Sequence, residues 1–462
     1  MDFINAFLAI LVILIYIYSG NSAHLPSWCI FGVILVAAFR TVSQKKHLDR
    51  SIFSVIIFSY MVLSLVGIIS VWAYVSSYGF PFAPYNDDSY YFLNIKSLAG
   101  WKFPDEYTLY ELFMVPAYWL FSFVNKTVSV QDLLPANWAM GAVVVGLAGR
   151  LSTKISGRFS LLAIAALLIN YNFVDTVIHL YRDVFLLMLS LLCVMHAMRK
   201  KYLLALGFAF LAGLTRGGNG LLCIFYVIVF YLFHIGWLKK LNLKTMVVFA
   251  VMIVGFIIID NIAALGGLGR SFMGATEDHE KQTMMGRAVQ RQDTMLSGSS
   301  GGFDSTKLLH SLGPLGMAVI PLAATINPIR WSSFYATTSI SVFRKNRGFG
   351  SVLRPVLFFM LLTVISWPFI GPPLILGFLR SIKSVEPMFI LSIIFLVTVF
   401  VIALVSFQAR HRTAFLIFFP CFVALTAGKT DTDKKFRTLL TVFFAVFIIA
   451  VNMLPHILRA LS

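Results

Sequence analysis

Charged residues are scarce in this chain, and acidic residues are the scarcest of them. Only 12% of its 462 residues are charged, whereas 59% are hydrophobic. A soluble protein of this length would have too little polar surface to cover so many apolar side chains. Apolar runs of membrane-spanning length recur along the chain, and short alternating segments are lacking. The composition therefore excludes a soluble enzyme and a transmembrane barrel, and it predicts a polytopic helical membrane protein.

Cysteine and the common nucleotide-binding motifs are also rare or missing. The four cysteines, Cys29, Cys193, Cys223 and Cys421, lie inside apolar runs without metal-ligand spacing, so we expect buried thiols rather than disulfides or ligands. The chain has no P-loop, dinucleotide fingerprint or nucleophile elbow. It therefore offers no recognisable site for a soluble nucleotide sugar, and its metal content stays unknown.

Positive charge is in excess, with 37 basic residues against 19 acidic ones. Most of the basic residues fall in short loops between apolar runs, as the positive-inside rule expects, so nucleic acid is not predicted as a partner. The rule places the following segments in the cytoplasm: 40–50, 150–158, 199–201, 239–244, 380–383 and 429–437.

The apolar runs between these loops predict an all-α transmembrane bundle that covers 1–462 as a single domain. We expect about thirteen helices, and counts from about eleven to fourteen fit the pattern. They are expected near 3–19, 27–39, 51–75, 134–149, 159–171, 183–198, 203–216, 220–237, 245–262, 355–379, 386–407, 413–428 and 437–454. The first run lacks a basic n-region and a clear cleavage site, so we interpret it as a retained helix with a cytoplasmic N-terminus.

Two long segments, 76–133 and 263–354, are predicted to lie on the extracytoplasmic side. The first contains a short apolar stretch, Leu112–Val124, which is interrupted by Pro116 and fits an interfacial helix. The second contains a flexible Gly/Ser run and a further apolar stretch at 312–329. Whether that stretch re-enters the membrane or spans it is left open by the sequence.

The acidic pair Asp87 and Asp88 stands in the first of these loops, in the stretch PYNDDSYYF. We expect both carboxylates to be solvated near the outer interface. A carboxylate there can take a proton from a sugar hydroxyl, or hold a divalent cation against a diphosphate. The alternative is a loop whose aspartates form an Asx turn or cap a helix.

Four arginines, Arg182, Arg216, Arg410 and Arg412, are predicted at outer helix ends, where basic residues are disfavoured. Their presence there indicates an anionic partner, and guanidinium groups match phosphate oxygens in pairs. A single such arginine is equally well explained as an anchor at the interface. The remaining candidates for substrate binding are Tyr90, Tyr91, His179, Arg270, Arg287 and Arg291.

The order of these motifs resembles the integral-membrane glycosyltransferases of the GT-C superfamily, and among them the bacterial cell-envelope polysaccharide polymerases. The resemblance rests on the motifs PYNDDSYYFLNIKSLAG, LYRDVFLLMLSLL, LTRGGNGLL, NPIRW and QARHRTAFLIFFP. It implies that Asp87 or Asp88 is catalytic, and that Arg182, Arg216, Arg410 and Arg412 contact a polyprenyl diphosphate. A second layout, that of O-antigen polymerases and ligases, relies on outer arginines instead of a first-loop aspartate.

These features together predict an enzyme of the bacterial inner membrane that joins sugar units carried on a polyprenyl diphosphate, as in O-antigen, lipopolysaccharide or capsule synthesis. Its expected partners are the lipid-linked saccharide, the lipid bilayer and other membrane proteins of polysaccharide assembly. No cofactor is required by the sequence, although a divalent cation fits the chemistry. The alternative is a transporter or flippase for lipid-linked saccharides, which binds the diphosphate without chemistry.

Overall fold

The computed structural model describes residues 2–45, 50–81, 87–104, 107–125, 127–157, 160–238, 355–383, 387–405, 413–426 and 437–446. Every regular element among these residues is helical, which confirms the all-α class. In chain order the helices are α1 Asp2–Tyr18, α2 Leu25–Lys45, α3 Arg50–Tyr78, α4 Asp87–Ala99, α5 Leu109–Ser122, α6 Val130–Ser156, α7 Leu161–Leu168, α8 Tyr171–Ile178, α9 Arg182–Ala197, α10 Tyr202–Thr215, α11 Gly217–His234, α12 Pro355–Lys383, α13 Met388–Val405, α14 Thr413–Leu416, α15 Phe419–Thr426 and α16 Arg437–Val446.

Several of these helices are suited to a membrane. Four described helices are long and apolar enough to cross it, namely Ile52–Ser76, Val130–Ser156, Gly217–His234 and Leu362–Ile382. The bent pair α7 and α8 makes a fifth if it counts as one span. Shorter apolar helices of 10–17 residues accompany them. The chain is therefore consistent with a multi-pass membrane protein, while the count of about thirteen spans stays a prediction.

The sequence predicts a single helix at 159–171, and this prediction is wrong. The chain makes two short helices there, α7 and α8, which meet at an angle of 62°. Thr363 of α12 closes the break, because its hydroxyl accepts from the Tyr171 amide at 2.8 Å and donates to the Ile169 carbonyl at 2.6 Å. Asn170 caps α8 by accepting from the Asn172 amide at 3.0 Å. The polar backbone groups that a break exposes are thus satisfied by neighbouring side chains.

The first long loop is more ordered than its sequence indicates. It contains α4, which was not predicted, and α5, which extends through Pro116 instead of breaking there. A capping box between Thr108 and Glu111 starts α5, and Glu111 is fully buried. The second long loop, 263–354, with the stretch 312–329 and the helix expected at 245–262, lies outside the described residues.

Helices α3 and α6 form the centre of the bundle. Glycine permits their close approach, since Gly67 of α3 lies directly under the Trp138 indole and Gly146 of α6 lies under Ile56. Trp138 is buried and donates to the Ile178 carbonyl at 3.4 Å, which joins the α3–α6 pair to α8. Cys193, Cys223 and Cys421 are buried as expected, whereas Cys29 is exposed, so its prediction was wrong.

Three long-range contacts define one end of the bundle, called here the site end. His24, just before α2, meets Asp132 at the start of α6 at 2.8 Å. Asp88, at the start of α4, meets His179 between α8 and α9. Arg216, between α10 and α11, meets Asp183 at the start of α9. The basic-loop pattern predicts a common face for these same segments. The far ends of α6 and α9 define the opposite, basic end.

Candidate active site

The centre of the candidate site is the pair Asp88 and His179. Asp88 lies in the first turn of α4 and is only 1% exposed. Its Oδ2 is 3.0 Å from His179 Nδ1, and its Oδ1 accepts the Leu180 amide at 2.5 Å. A carboxylate that accepts two such bonds is stabilised in its buried position. The expectation that both aspartates are solvated is therefore wrong for Asp88, while Asp87 beside it is half-buried.

His179 has a carboxylate facing each of its ring nitrogens. Asp88 faces Nδ1, and Asp175 Oδ1 lies 3.8 Å from Nε2. The imidazole stacks on Tyr181 at 5.1 Å between ring centroids, and Tyr74 of α3 lies at 5.9 Å. The bond to Asp88 fixes the orientation of the ring, and the Asp175 carboxylate adds negative charge on its other side. His179 is thus placed by specific partners rather than by apolar packing alone.

The short connection that carries His179 is held by α6 and α5. Asn137 of α6 is fully buried, and its amide donates to the carbonyls of His179 at 2.5 Å and Tyr181 at 3.2 Å. The Tyr110 hydroxyl of α5 donates to the Asn137 side-chain oxygen at 3.0 Å. Because each polar atom in this chain of bonds has a partner, the connection is rigidly positioned against the bundle core.

Arg182 lies next to α4, the helix that begins with Asp87 and Asp88. Its guanidinium carbon is 5.9 Å from the centre of the Tyr91 ring, which is within the range of a cation–π contact. Tyr91 is buried and meets both Tyr90 and Tyr110 edge to face, while Tyr90 is 46% exposed. Of the two tyrosines predicted to contact substrate, Tyr90 therefore presents the more accessible ring, and Tyr91 supports Arg182.

Arg216 is engaged in an ion pair. Its Nη1 is 3.2 Å from Asp183 Oδ1, and a quarter of its side chain is exposed. Asp183 lies in the first turn of α9 beside this guanidinium. The pair stabilises the α9–α11 contact and keeps a positive group at the site end. Arg216 thus has a structural partner in addition to any ligand.

A second buried carboxylate at the site end is structural. Asp132 accepts from His24 at 2.8 Å, Ser27 at 3.0 Å, Asn125 at 2.7 Å and the Ser129 amide at 2.8 Å. The Ser129 hydroxyl adds a fifth donor at 3.2 Å, so little acceptor capacity remains on the two oxygens for a substrate. This carboxylate therefore caps α6 and ties the start of α2 to it.

The structure brings together only part of the predicted site. Asp87, Asp88, Tyr90, Tyr91, His179, Arg182 and Arg216 lie at the site end. The arginines at 270, 287, 291, 410 and 412 lie outside the described residues. No group of three or more metal-type side chains occurs among the residues that the structure describes.

The sequence analysis missed three residues that support the candidate site, and one of them could have been found from its spacing. Asp175 stands four residues before His179, the spacing that places two side chains on one face of a helix. Asn137 is a polar residue inside the apolar run LLPANWAM, and Tyr110 has no distinguishing pattern. Their roles depend on contacts between helices that are distant in sequence.

Protein-family models, curated proteins and solved structures were all searched, and none of them matches this chain.

Proposed function

We propose that this protein is a membrane glycosyltransferase that joins sugar units from a polyprenyl-diphosphate-linked donor, with its active site at the site end. The observation that supports this is the convergence of the Asp87–Asp88 pair, His179 and two arginines from four separate helix ends. Carboxylates and guanidinium groups are the residue types that base-assisted transfer from a diphosphate requires. Placed at a bundle end, they can reach a donor whose lipid stays in the bilayer.

In the proposed reaction an acceptor hydroxyl attacks the anomeric carbon of the donor sugar. The new glycosidic bond forms as the bond between that carbon and the diphosphate oxygen breaks, and the diphosphate leaves with the electron pair. The proton of the hydroxyl passes to a carboxylate. Arg182 stabilises the charge that develops on the leaving group. Arg216 does so as well, with the guanidinium N–H groups that do not bond to Asp183.

The two aspartates are assigned different roles because their surroundings differ. Asp87 is half-buried, so it is the carboxylate that can reach an acceptor hydroxyl, and we assign it as the general base. Asp88 is enclosed by His179 and the Leu180 amide. We assign Asp88 as a positioning residue, which holds His179 and the start of α4 in register.

The charges at the site end affect how a negatively charged diphosphate donor can bind. The candidate site itself contains Asp87, Asp88, Asp175 and Asp183 against His179, Arg182 and Arg216, and the exposed Lys96 and Lys102 add positive charge at the same end. A diphosphate adds further negative charge to this set. The proposal therefore needs more positive charge, either from the five outer arginines that the structure does not describe or from a divalent cation bound with the donor.

The test is incubation of the purified protein with a lipid-linked saccharide, followed by mass analysis of chain growth. We expect Asp87→Asn to lower the rate about 10²–10⁴-fold, as for loss of a general base. Arg182→Lys keeps the charge but loses the guanidinium fork, so the apparent donor constant should rise about 10- to 150-fold. Lys96→Gln, on the exposed face of α4, is the matched control and should leave both constants unchanged. Wild-type rates in the Asp87 variant contradict the assignment.

The second candidate is a transporter or flippase for the same lipid-linked saccharide. The broken pair α7 and α8 favours it, because transporters form binding sites at helix breaks. The break is, however, bonded to Thr363 and Asn170, which leaves fewer backbone groups for a substrate. Proteoliposomes that carry a labelled lipid-linked saccharide separate the two candidates. Movement of label between leaflets without chain growth supports the transporter.

A further inference from the structure

The basic end carries a cluster of five basic residues, called here the distal basic cluster. Arg150 and Lys154 belong to the last turns of α6, and Arg199, Lys200 and Lys201 form the turn between α9 and α10. Helices α6 and α9 pack against each other, so the ends that carry these residues lie at the same end of the bundle. The fold therefore gathers like charges that are about 50 residues apart in the chain, and an anion bound among them would relieve their mutual repulsion.

The distal basic cluster has no acidic partner among the residues that the structure describes. None of its five residues forms an ion pair with a described residue. The C-termini of α6 and α9 each contribute roughly half a negative charge, and the N-terminus of α10 contributes roughly half a positive one. Helix dipoles thus offset only about half a charge of the five. The described part of this end therefore keeps an excess of positive charge.

The backbone at Lys200 adopts a left-handed conformation. Lys200 has φ 60°, a left-handed conformation that favours glycine at the end of a helix. The turn is closed by bonds from the Lys201 amide to the His196 carbonyl and from the Lys200 amide to the Ala197 carbonyl, each 3.0 Å long. A lysine in this position places its charge beside Arg199, in a backbone conformation that is less favourable for lysine than for glycine.

An apolar surface runs directly from the cluster. Helix α10 begins at Tyr202, next to Lys201, and exposes Leu203 by 87%, Leu206 by 41% and Phe210 by 64%. These positions repeat at helical spacing, so they form one stripe along α10. Trp237, 66% exposed after the end of α11, is of the type that lies at the membrane–water interface.

We propose that the distal basic cluster binds the phosphate headgroup of an anionic phospholipid, whose acyl chains lie along the exposed stripe of α10. The headgroup supplies the negative charge that the described residues lack, and the stripe supplies the apolar contact that free phosphate cannot use. The inference is independent of the proposed transferase activity, because it concerns the opposite end of the bundle.

The test uses the full-length protein in a neutral detergent, titrated with phosphatidylglycerol or phosphatidylcholine and analysed by native mass spectrometry. We expect preferential binding of phosphatidylglycerol. Each neutralised residue in the variants Lys154→Gln and Arg199→Gln should lower that affinity about fivefold, which corresponds to about 1 kcal/mol per basic residue near an anionic lipid. Phosphatidylcholine binding should not change. The matched control Lys96→Gln/Lys102→Gln removes two exposed charges at the site end and should bind phosphatidylglycerol as the wild type does.

Lys200→Gly separates ligand binding from folding. It removes a charge and relieves the left-handed backbone, so phosphatidylglycerol affinity should fall about fivefold while the thermal midpoint stays the same or rises. Equal binding of the two lipids, wild-type affinity in all cluster variants, or an equal loss in the control overturns the proposal. Inorganic phosphate that displaces phosphatidylglycerol at equal concentration also overturns it, since the site would then take free phosphate.

Discussion

The difference between the two neighbouring aspartates leads to a sharp prediction. Asp88 is buried and bonded to His179 and to the Leu180 amide, whereas Asp87 is half-buried. We therefore expect Asp88→Asn to destabilise the protein and Asp87→Asn to leave its stability nearly unchanged. The sequence predicts that both carboxylates are solvated, and two solvated aspartates would leave both variants as stable as the wild type, so the structure alters the outcome for one residue of the pair.

The magnitudes follow from the bonds that each change removes. In Asp88→Asn the new amide oxygen can still accept from Leu180, but the charge-assisted contact with His179 is lost, at about 1.5–3 kcal/mol. Asp88→Ala also leaves the Leu180 amide buried without an acceptor, which adds about 1–3 kcal/mol. Asp87→Asn weakens the favourable interaction of this carboxylate with the N-terminus of α4, worth about 0.3–1 kcal/mol.

The assay is the free energy of unfolding in mixed micelles, measured for the single variants and for the double-mutant cycle Asp88→Asn/His179→Gln. A coupling energy of about 1.5–3 kcal/mol is expected between the two residues, because they share one charge-assisted bond. Asp87→Asn/His179→Gln serves as the comparison cycle and should show a smaller coupling, because Asp88 bonds to His179 directly. Equal stability of the Asp87 and Asp88 variants, or no coupling in the first cycle, would refute the buried pair.

Two further predictions concern packing and topology. Gly67→Ala places a methyl group against the buried Trp138 indole, so it should destabilise the protein by about 1–3 kcal/mol in thermal unfolding. The control Gly207→Ala meets no atom within 4 Å, so it should be neutral or stabilising in the same assay. The topology can be tested with single cysteines placed in a Cys29→Ser background, because Lys102 and Lys201 are exposed at opposite ends of the bundle. An impermeant thiol reagent added to intact cells should label Lys102→Cys directly. It should label Lys201→Cys only after permeabilisation. Labelling of both positions from the same side would contradict the proposed orientation.

The sequence determined the class of this protein and the residue types at its site. The apolar runs predict helices because a bilayer leaves no other way to satisfy the backbone over that length, and this holds for each run separately. Asp87, Asp88, His179, Arg182 and Arg216 were all singled out from local patterns. The predicted bounds of α1, α9 and α10 agree with the observed ones to within about two residues, since these runs have clear polar boundaries.

Only the tertiary structure decided how these residues are related. Asp88 and His179 are 91 residues apart, and no local pattern shows that one faces the other. The same holds for the break between α7 and α8, which depends on a hydroxyl 192 residues away in α12. Burial distinguishes two adjacent aspartates with identical side chains, and burial is a property of the neighbours that fold against them. The sequence therefore supplied the candidate groups, while packing between distant helices determined which of them are enclosed, paired or accessible.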